Sequence, residues 1–179
     1  MEASRHDRQK YHAFSTDAKC LSEYILSMHH LTTKRVSTSD PDFIYLVSLL
    51  DNELWFELHE DQSTYDQYNK VPGISTAIIV YDKEKPVACG CYKEYNTRTV
   101  EIKRMFVEKS YRGNGIANLV LQQLENWAME NGFQYAILET SIHFTVAKNL
   151  YQKAGYLIIP NYDQYEALEE SVCMKKKLM

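Results

Sequence analysis

The 179-residue chain predicts a single mixed α/β domain, an α+β arrangement in which an antiparallel meander leads into a β-α-β-α-β tail. Three observations carry this expectation. Three strand-like runs, the first of them β-branched and apolar, lie between positions 74 and 107 and are separated only by short turns; a glycine-rich loop then opens a long helical period; and strand-like and helix-like segments alternate from there onward. With 45% hydrophobic and 25% charged residues, the composition fits one core built without disulfide staples.

The elements follow in order. Residues 1–32 hold charge clusters, three of the six histidines before position 30 and no sustained periodicity, and are read as an extension of unknown role, so that the domain proper spans 33–179. Lys34–Ser37 reads as a short strand, and Ser39-Asp40-Pro41-Asp42 as a cap and proline-containing first turn. Phe43, Leu46, Val47, Leu50 and Leu54 recur at helical spacing. A polar stretch over 61–70 and the break at Pro72-Gly73 precede the meander: Ile74–Tyr81, Val87–Tyr95 and Thr99–Val107, with turns at 82–86 and 96–98. Ile116, Ala117, Val120, Leu121, Leu124, Trp127 and Ala128 form one apolar helix face, ended by Gly132. Tyr135–Thr140 is a further strand, Val146, Ala147, Leu150, Tyr151 and Ala154 mark a shorter helix stopped by Gly155, and Tyr156–Ile159 and Ser171–Lys176 close the sheet around an acidic, tyrosine-rich loop.

Charge and composition exclude several classes. Lys plus Arg number 20 against 24 Asp plus Glu, a net charge of -4 that lacks the basic excess of a nucleic-acid binder. No run approaches the ~18 apolar residues of a spanning helix, and the first ten residues are too polar for a signal peptide, so a soluble cytoplasmic protein with no membrane partner is expected. Cys20, Cys89, Cys91 and Cys173 are too scattered for a disulfide framework. A strand places Cys89 and Cys91 on one face, where buried reduced thiols are the expectation and no metal site is.

The most informative stretch runs from Val107 to Ala117, where a strand ends, two glycines permit unusual dihedrals and a helix begins. Amides at a helix N-terminus, aided by the macrodipole, suit a pyrophosphate, and Gly115 and Ala117 leave room for close approach. The P-loop ending Gly-Lys-Ser/Thr is absent, and Asn118 stands where the dinucleotide fingerprint needs its third Gly or Ala.

The pattern Arg112-x-x-Gly115-x-Ala117 resembles the acetyl-CoA loop of the GNAT superfamily of N-acetyltransferases, of the bacterial small-molecule type. Glu101–Val107 resembles the strand preceding that loop, and Ala147–Tyr156 resembles the downstream helix that ends in Leu-Tyr-x-Lys-x-Gly-Phe/Tyr. These blocks stand in the family's order, and with the closing strand the resemblance spans about 33–179. It implies acetyl-CoA as cosubstrate in a V-shaped opening between splayed central strands, 99–107 and 135–140. The backbone of Met105, Phe106 and Val107 would pair with the pantetheine arm, the amides from Arg112 through Gly113, Asn114, Gly115 and Ile116 to Ala117 would hold the pyrophosphate, and Asn149 would add a contact. One departure stands out: many relatives carry Asn where this chain has Phe144.

Acetyl transfer to an amine needs a base for the nucleophile and an acid for the departing thiolate. Glu101 is the expected base, since its strand lines the opening and strand alternation gives it the face of Lys103, Met105 and Val107. The competing reading is a carboxylate paired with Lys103, Arg104 or Arg98 across the sheet. Tyr151 resembles the family's general-acid tyrosine, against the alternative of a core aromatic. Glu139, His143, Tyr162, Asp163 and Tyr165 are candidates for the acceptor pocket, with His143 an alternative base. No cysteine sits at a motif position for a covalent acetyl-enzyme, so direct attack of a small primary amine in a ternary complex is expected. The alternatives are a non-catalytic acyl-CoA sensor and a protein N-acetyltransferase, and the resemblance also implies a possible homodimer.

Overall fold

The computed structural model describes residues 30–58 and 73–178, so most of the expected extension and the polar stretch at 61–70 lie outside the described residues. The fold belongs to the unit that begins at Leu31. Its strands are β1 (Leu31–Val36), β2 (Ala77–Asp82), β3 (Lys85–Asn96), β4 (Thr99–Val107), β5 (Tyr135–Ser141), β6 (Leu157–Ile159) and β7 (Ser171–Lys177), and its α-helices are α1 (Pro41–Leu58), α2 (Ile116–Glu130) and α3 (Thr145–Lys153). They form one seven-stranded sheet in the order β1-β2-β3-β4-β5-β7-β6. The first strand starts earlier than Lys34 because β2 runs to Asp82 and offers partners to Leu31 and Thr32, so two residues of the expected extension belong to the sheet. Among the described residues no helix is long and apolar enough to cross a membrane.

Local sequence sets the helix starts. Asp40 caps α1, its carboxylate accepting from the Asp42 N–H at 3.0 Å, and Pro41 fills the first helical position, where no N–H is needed. The apolar stripe of α2 lies on one face of the sheet, with Val120, Leu121 and Leu124 fully buried, each worth about 1.5–3 kcal/mol of burial. Gly90 of β3 makes that approach possible: a Cβ there would lie 2.9 Å from Val120 Cγ1 and 3.0 Å from Leu124 Cδ1. On the opposite face, Phe43 and Leu46 of α1 pack with Ile79, Cys89, Cys91 and Phe106. The buried thiols of Cys89 and Cys91 are both pushed up by loss of solvent, so they stay protonated at neutral pH.

Two irregularities in β4 shape the site. Cys89 and Cys91 of β3 oppose Phe106 and Lys103, so two steps on β3 face three on β4, a bulge centred on Arg104, which takes φ +58°. This corrects the alternation expected from sequence. Glu101 and Lys103 share one face, but the extra residue moves Met105 and Val107 to the other, where they join Ile102 and α2 in the core. The second irregularity is the parallel pairing of β4 with β5, which covers only Thr99–Glu101 against Tyr135–Ile137. Beyond Glu101 and Ile137 the two central strands part, as expected from the family resemblance.

Candidate active site

The glycine loop stands at the end of β4, at one side of this gap. A single 3₁₀ turn (Lys109–Tyr111) leads to Gly113 and Gly115, whose φ values of +81° and +76° only glycine adopts without strain. A Cβ at either would meet nothing within 4 Å among the described residues, so these leave the loop open on the side its glycines present. Gly115 caps α2 without any side-chain hydrogen bond, which leaves the first-turn N–H groups of a 15-residue helix as donors for an anion. Arg112 is held at both ends of its guanidinium: its Nε donates to the Val107 carbonyl at 2.8 Å and its Nη2 lies 2.6 Å from Glu53 Oε2 of α1. A pyrophosphate on the amides and an extended thiol arm in the gap fit these features, so the residues expected to hold acetyl-CoA suit it. Asn149 is exposed on α3.

The gap gives onto a polar pocket of about 50 Å³ lined by Glu101, Ile102, Lys103, Arg104, Glu139 and Tyr165. Glu101, 1% exposed, is the hub. Its Oε1 accepts from Lys103 Nζ at 3.1 Å, Tyr165 Oη at 3.2 Å and Tyr162 Oη at 3.3 Å, while its Oε2 lies 2.9 Å from Lys93 Nζ. Burial alone would raise its carboxyl, but Lys103 and Lys93 outweigh burial and hold it below the usual carboxylate range. Lys93 stands directly across from Glu101 in the β3–β4 register. Both tyrosines are pushed well up, by burial first and then by the Glu101 charge, so they remain proton donors to it.

Glu139 has the opposite balance. Burial raises its carboxyl, the Glu101 charge adds to that, and the 2.7 Å hydrogen bond from Ser171 Oγ together with the more distant Lys103 only partly offsets it. It is the pocket carboxyl whose proton affinity moves toward neutrality. Tyr151 of α3 is buried at 7% exposure with its ring edge-on to Tyr156 at 5.8 Å. Burial and the nearby Glu139 charge keep its hydroxyl protonated.

The remaining expected residues divide. Tyr165 reaches Glu101 from the 3₁₀ turn Asp163–Tyr165 and Tyr162 from the position just before it, whereas Asp163 itself is exposed. His143 is not in the pocket: its side chain is 57% exposed, with Nε2 at 3.4 Å from Glu170, because the chain turns outward after β5. Of the pairings weighed for Glu101, Lys103 holds, Arg98 binds Gln134 instead, and Arg104 binds Asp51 of α1. The sequence reading missed Lys93, Asp51 and Glu53. Lys93 had a findable signal as the residue opposite Glu101 across a short turn; the α1 partners had none.

The description of the Acetyltransferase (GNAT) family matches residues 44–156, more than half of the sequence. The chain belongs to this family. Among curated GNAT-like relatives it is similar to the uncharacterized N-acetyltransferase YsnE of Bacillus subtilis, 33% identical over 100 residues that are 55% of this chain and 66% of that protein. It is also similar to the N-acetylaspartate synthetase of Rattus norvegicus, 32% identical over 60% of this chain and 36% of that protein. The matched stretch thus spans less than two thirds of these relatives. A solved structure of a candidate acyl-CoA N-acyltransferase from Klebsiella pneumoniae has a TM-score of 0.69 at 27% identity, covering 83% of this chain and 98% of that one. A GNAT family acetyltransferase from Elizabethkingia anophelis with acetyl-CoA bound shares the fold, at TM-score 0.60, 16% identity and coverage of 83% and 99%.

Proposed function

We propose that this chain is an acetyl-CoA-dependent N-acetyltransferase that acetylates a small primary amine by direct attack in a ternary complex. The observation that carries the reading is the parting of β4 and β5 beyond Glu101, with an uncapped glycine loop beside it and the polar pocket opening onto it. The loop and first-turn amides from Arg112 to Ala117 hold the pyrophosphate, and the free backbone edge of β4 at Met105, Phe106 and Val107 takes the pantetheine arm. Acetyl-CoA supplies an activated thioester. Its placement by these residues brings the acetyl group to the amine, which is the larger part of what such a site contributes.

Two side chains then move the protons. Glu139, with its raised proton affinity, takes the proton of the incoming ammonium, freeing the nitrogen lone pair to form the new C–N bond. As the C–S bond breaks, Tyr151 gives its hydroxyl proton to the thiolate. In this reading Glu101, the base expected from sequence, serves as a fixed anion that orients Lys103, Tyr162 and Tyr165 around the acceptor. The curated relatives named N-acetylaspartate synthetase support a small acceptor rather than a protein chain. Thiol release from acetyl-CoA, measured against a panel of primary amines, tests the proposal. Amine-dependent release supports it, and saturable acetyl-CoA binding without release from any amine points to a sensor instead.

A further inference from the structure

We propose that the acceptor amine carries a carboxylate, and that the Arg104 guanidinium at the β4 bulge is the group that holds it. This deepens the acetyl-transfer reading above and rests on it for the identity of the second substrate. The Arg104 side chain is only 4% exposed and lines the pocket, and its Nη2 donates to Asp51. Its Nε is buried and has no hydrogen-bond partner among the described residues. A buried guanidinium N–H without an acceptor is costly, and such an orphan in a pocket calls for a ligand oxygen. The Nε and Nη2 groups form the planar fork that takes a carboxylate in two parallel hydrogen bonds. Asp51, 47% exposed, can yield its place on Nη2 to solvent.

The backbone is bent to deliver this side chain. Without the extra residue, alternation would put position 104 on the face of Ile102, beneath α2; the bulge at φ +58° turns it toward α1 and the pocket instead. A non-glycine residue held in that region is strained, and bulges beside pockets re-aim side chains.

Charge balance gives the same answer. Lys93, Lys103 and Arg104 converge here against Glu101, Asp51 and Glu139. Glu101 is already shared by two lysines, while burial raises the proton affinity of the Glu139 carboxylate. The pocket therefore has a cationic pole at Arg104 and a proton-accepting pole at Glu139, which matches the carboxylate and ammonium of a small amino acid. A polyamine would set cation against cation. The pocket, about 50 Å³ where ~10–15 Å³ admits one water, has room for the few heavy atoms of a small amino acid.

Calorimetry on the full chain saturated with CoA, which cannot turn over, tests this with matched probes: glycine and glycinamide, β-alanine and β-alaninamide, and L-aspartate and its diamide. At least one acid should bind ten-fold or more tightly than its amide. Arg104→Gln should remove that preference without weakening amide binding. Because a buried arginine can matter for folding, Asp51→Asn is the second arm: it removes the carboxylate charge that competes for Nη2 and should tighten binding of the acid. Equal affinity for acid and amide, binding of none of the probes, a preference that survives Arg104→Gln, or weaker acid binding by Asp51→Asn would overturn the proposal. The two readings fail separately. Selective acid binding with no thiol release from acetyl-CoA upholds the carboxylate site and sinks the transferase, while amides acetylated as fast as acids uphold the transferase and sink the carboxylate site.

Discussion

Glu101→Gln removes the charge at the centre of the pocket while preserving its shape. The side chains of Glu101 and Lys103 are 1% and 5% exposed, so the substitution strands a buried ammonium, an event that costs about 3–5 kcal/mol. Lys93 is 39% exposed and its pairing adds at most ~1 kcal/mol. The amide oxygen still accepts from Tyr162 and Tyr165, so no further loss is expected there. In a chain of this size each kcal/mol is worth about 2–4 °C, which gives a fall in Tm of roughly 6–20 °C. The pH dependence has a definite sign. The folded carboxyl of Glu101 lies below its ordinary value of 4.5, so the stabilisation is complete above that value and is lost as pH falls through the folded value. Urea unfolding followed by circular dichroism at a series of pH values should show wild type and variant far apart at pH 7 and closer together in acid. A difference under about 1 kcal/mol at pH 7, within the range of a surface pair, would refute the reasoning, as would a gap that does not narrow in acid.

Three further outcomes follow from particular contacts. Tyr151→Phe should lower turnover about 100-fold while leaving the acetyl-CoA dissociation constant within two-fold, and equal losses in steady-state rate and in calorimetric affinity would contradict the acid assignment. Glu139→Gln should reduce kcat about 100-fold and abolish the ascending limb of the kcat/KM profile against pH, a limb that in wild type lies above the ordinary carboxyl value of 4.5 because the Glu139 carboxyl is raised. Gly90→Ala should cost about 1–3 kcal/mol in denaturant unfolding, since the new methyl lies 2.6 Å from Met105 Sδ and against Val120 and Leu124; unchanged stability would mean that α2 packs less closely than described.

Much of this arrangement is legible in the residues themselves. The run Thr99–Val107 is β-branched and apolar enough to be a strand on any reading, Asp40-Pro41 announces the start of α1, and Gly113 and Gly115 mark a backbone only glycine adopts freely. The α2 stripe follows directly from helical spacing. The bulge at Arg104 is invisible by the same logic. Bulges that need φ above zero are ordinarily signalled by glycine, and here an arginine takes the strain, so strict alternation assigned Met105 and Val107 to the wrong face. The charge cluster was unreadable for a different reason. Tyr165 meets Glu101 across 64 positions, Arg104 meets Asp51 across 53, and only the tertiary fold brings them together. Glu101 and Glu139 look alike in sequence, yet two lysines stabilise the charge of one and burial works against the other.

The central claim is that the gap between β4 and β5 and the loop beside it hold acetyl-CoA for transfer. It is tested most directly by calorimetric titration of acetyl-CoA into wild type and a Gly115→Val variant, whose side chain would be forced into φ +76° at the cap of α2. The account predicts saturable one-to-one binding to wild type, displaced by CoA, and an affinity at least ten-fold weaker in a variant that circular dichroism shows to be folded. No saturable binding to wild type, or equal affinity in the folded variant, would contradict it.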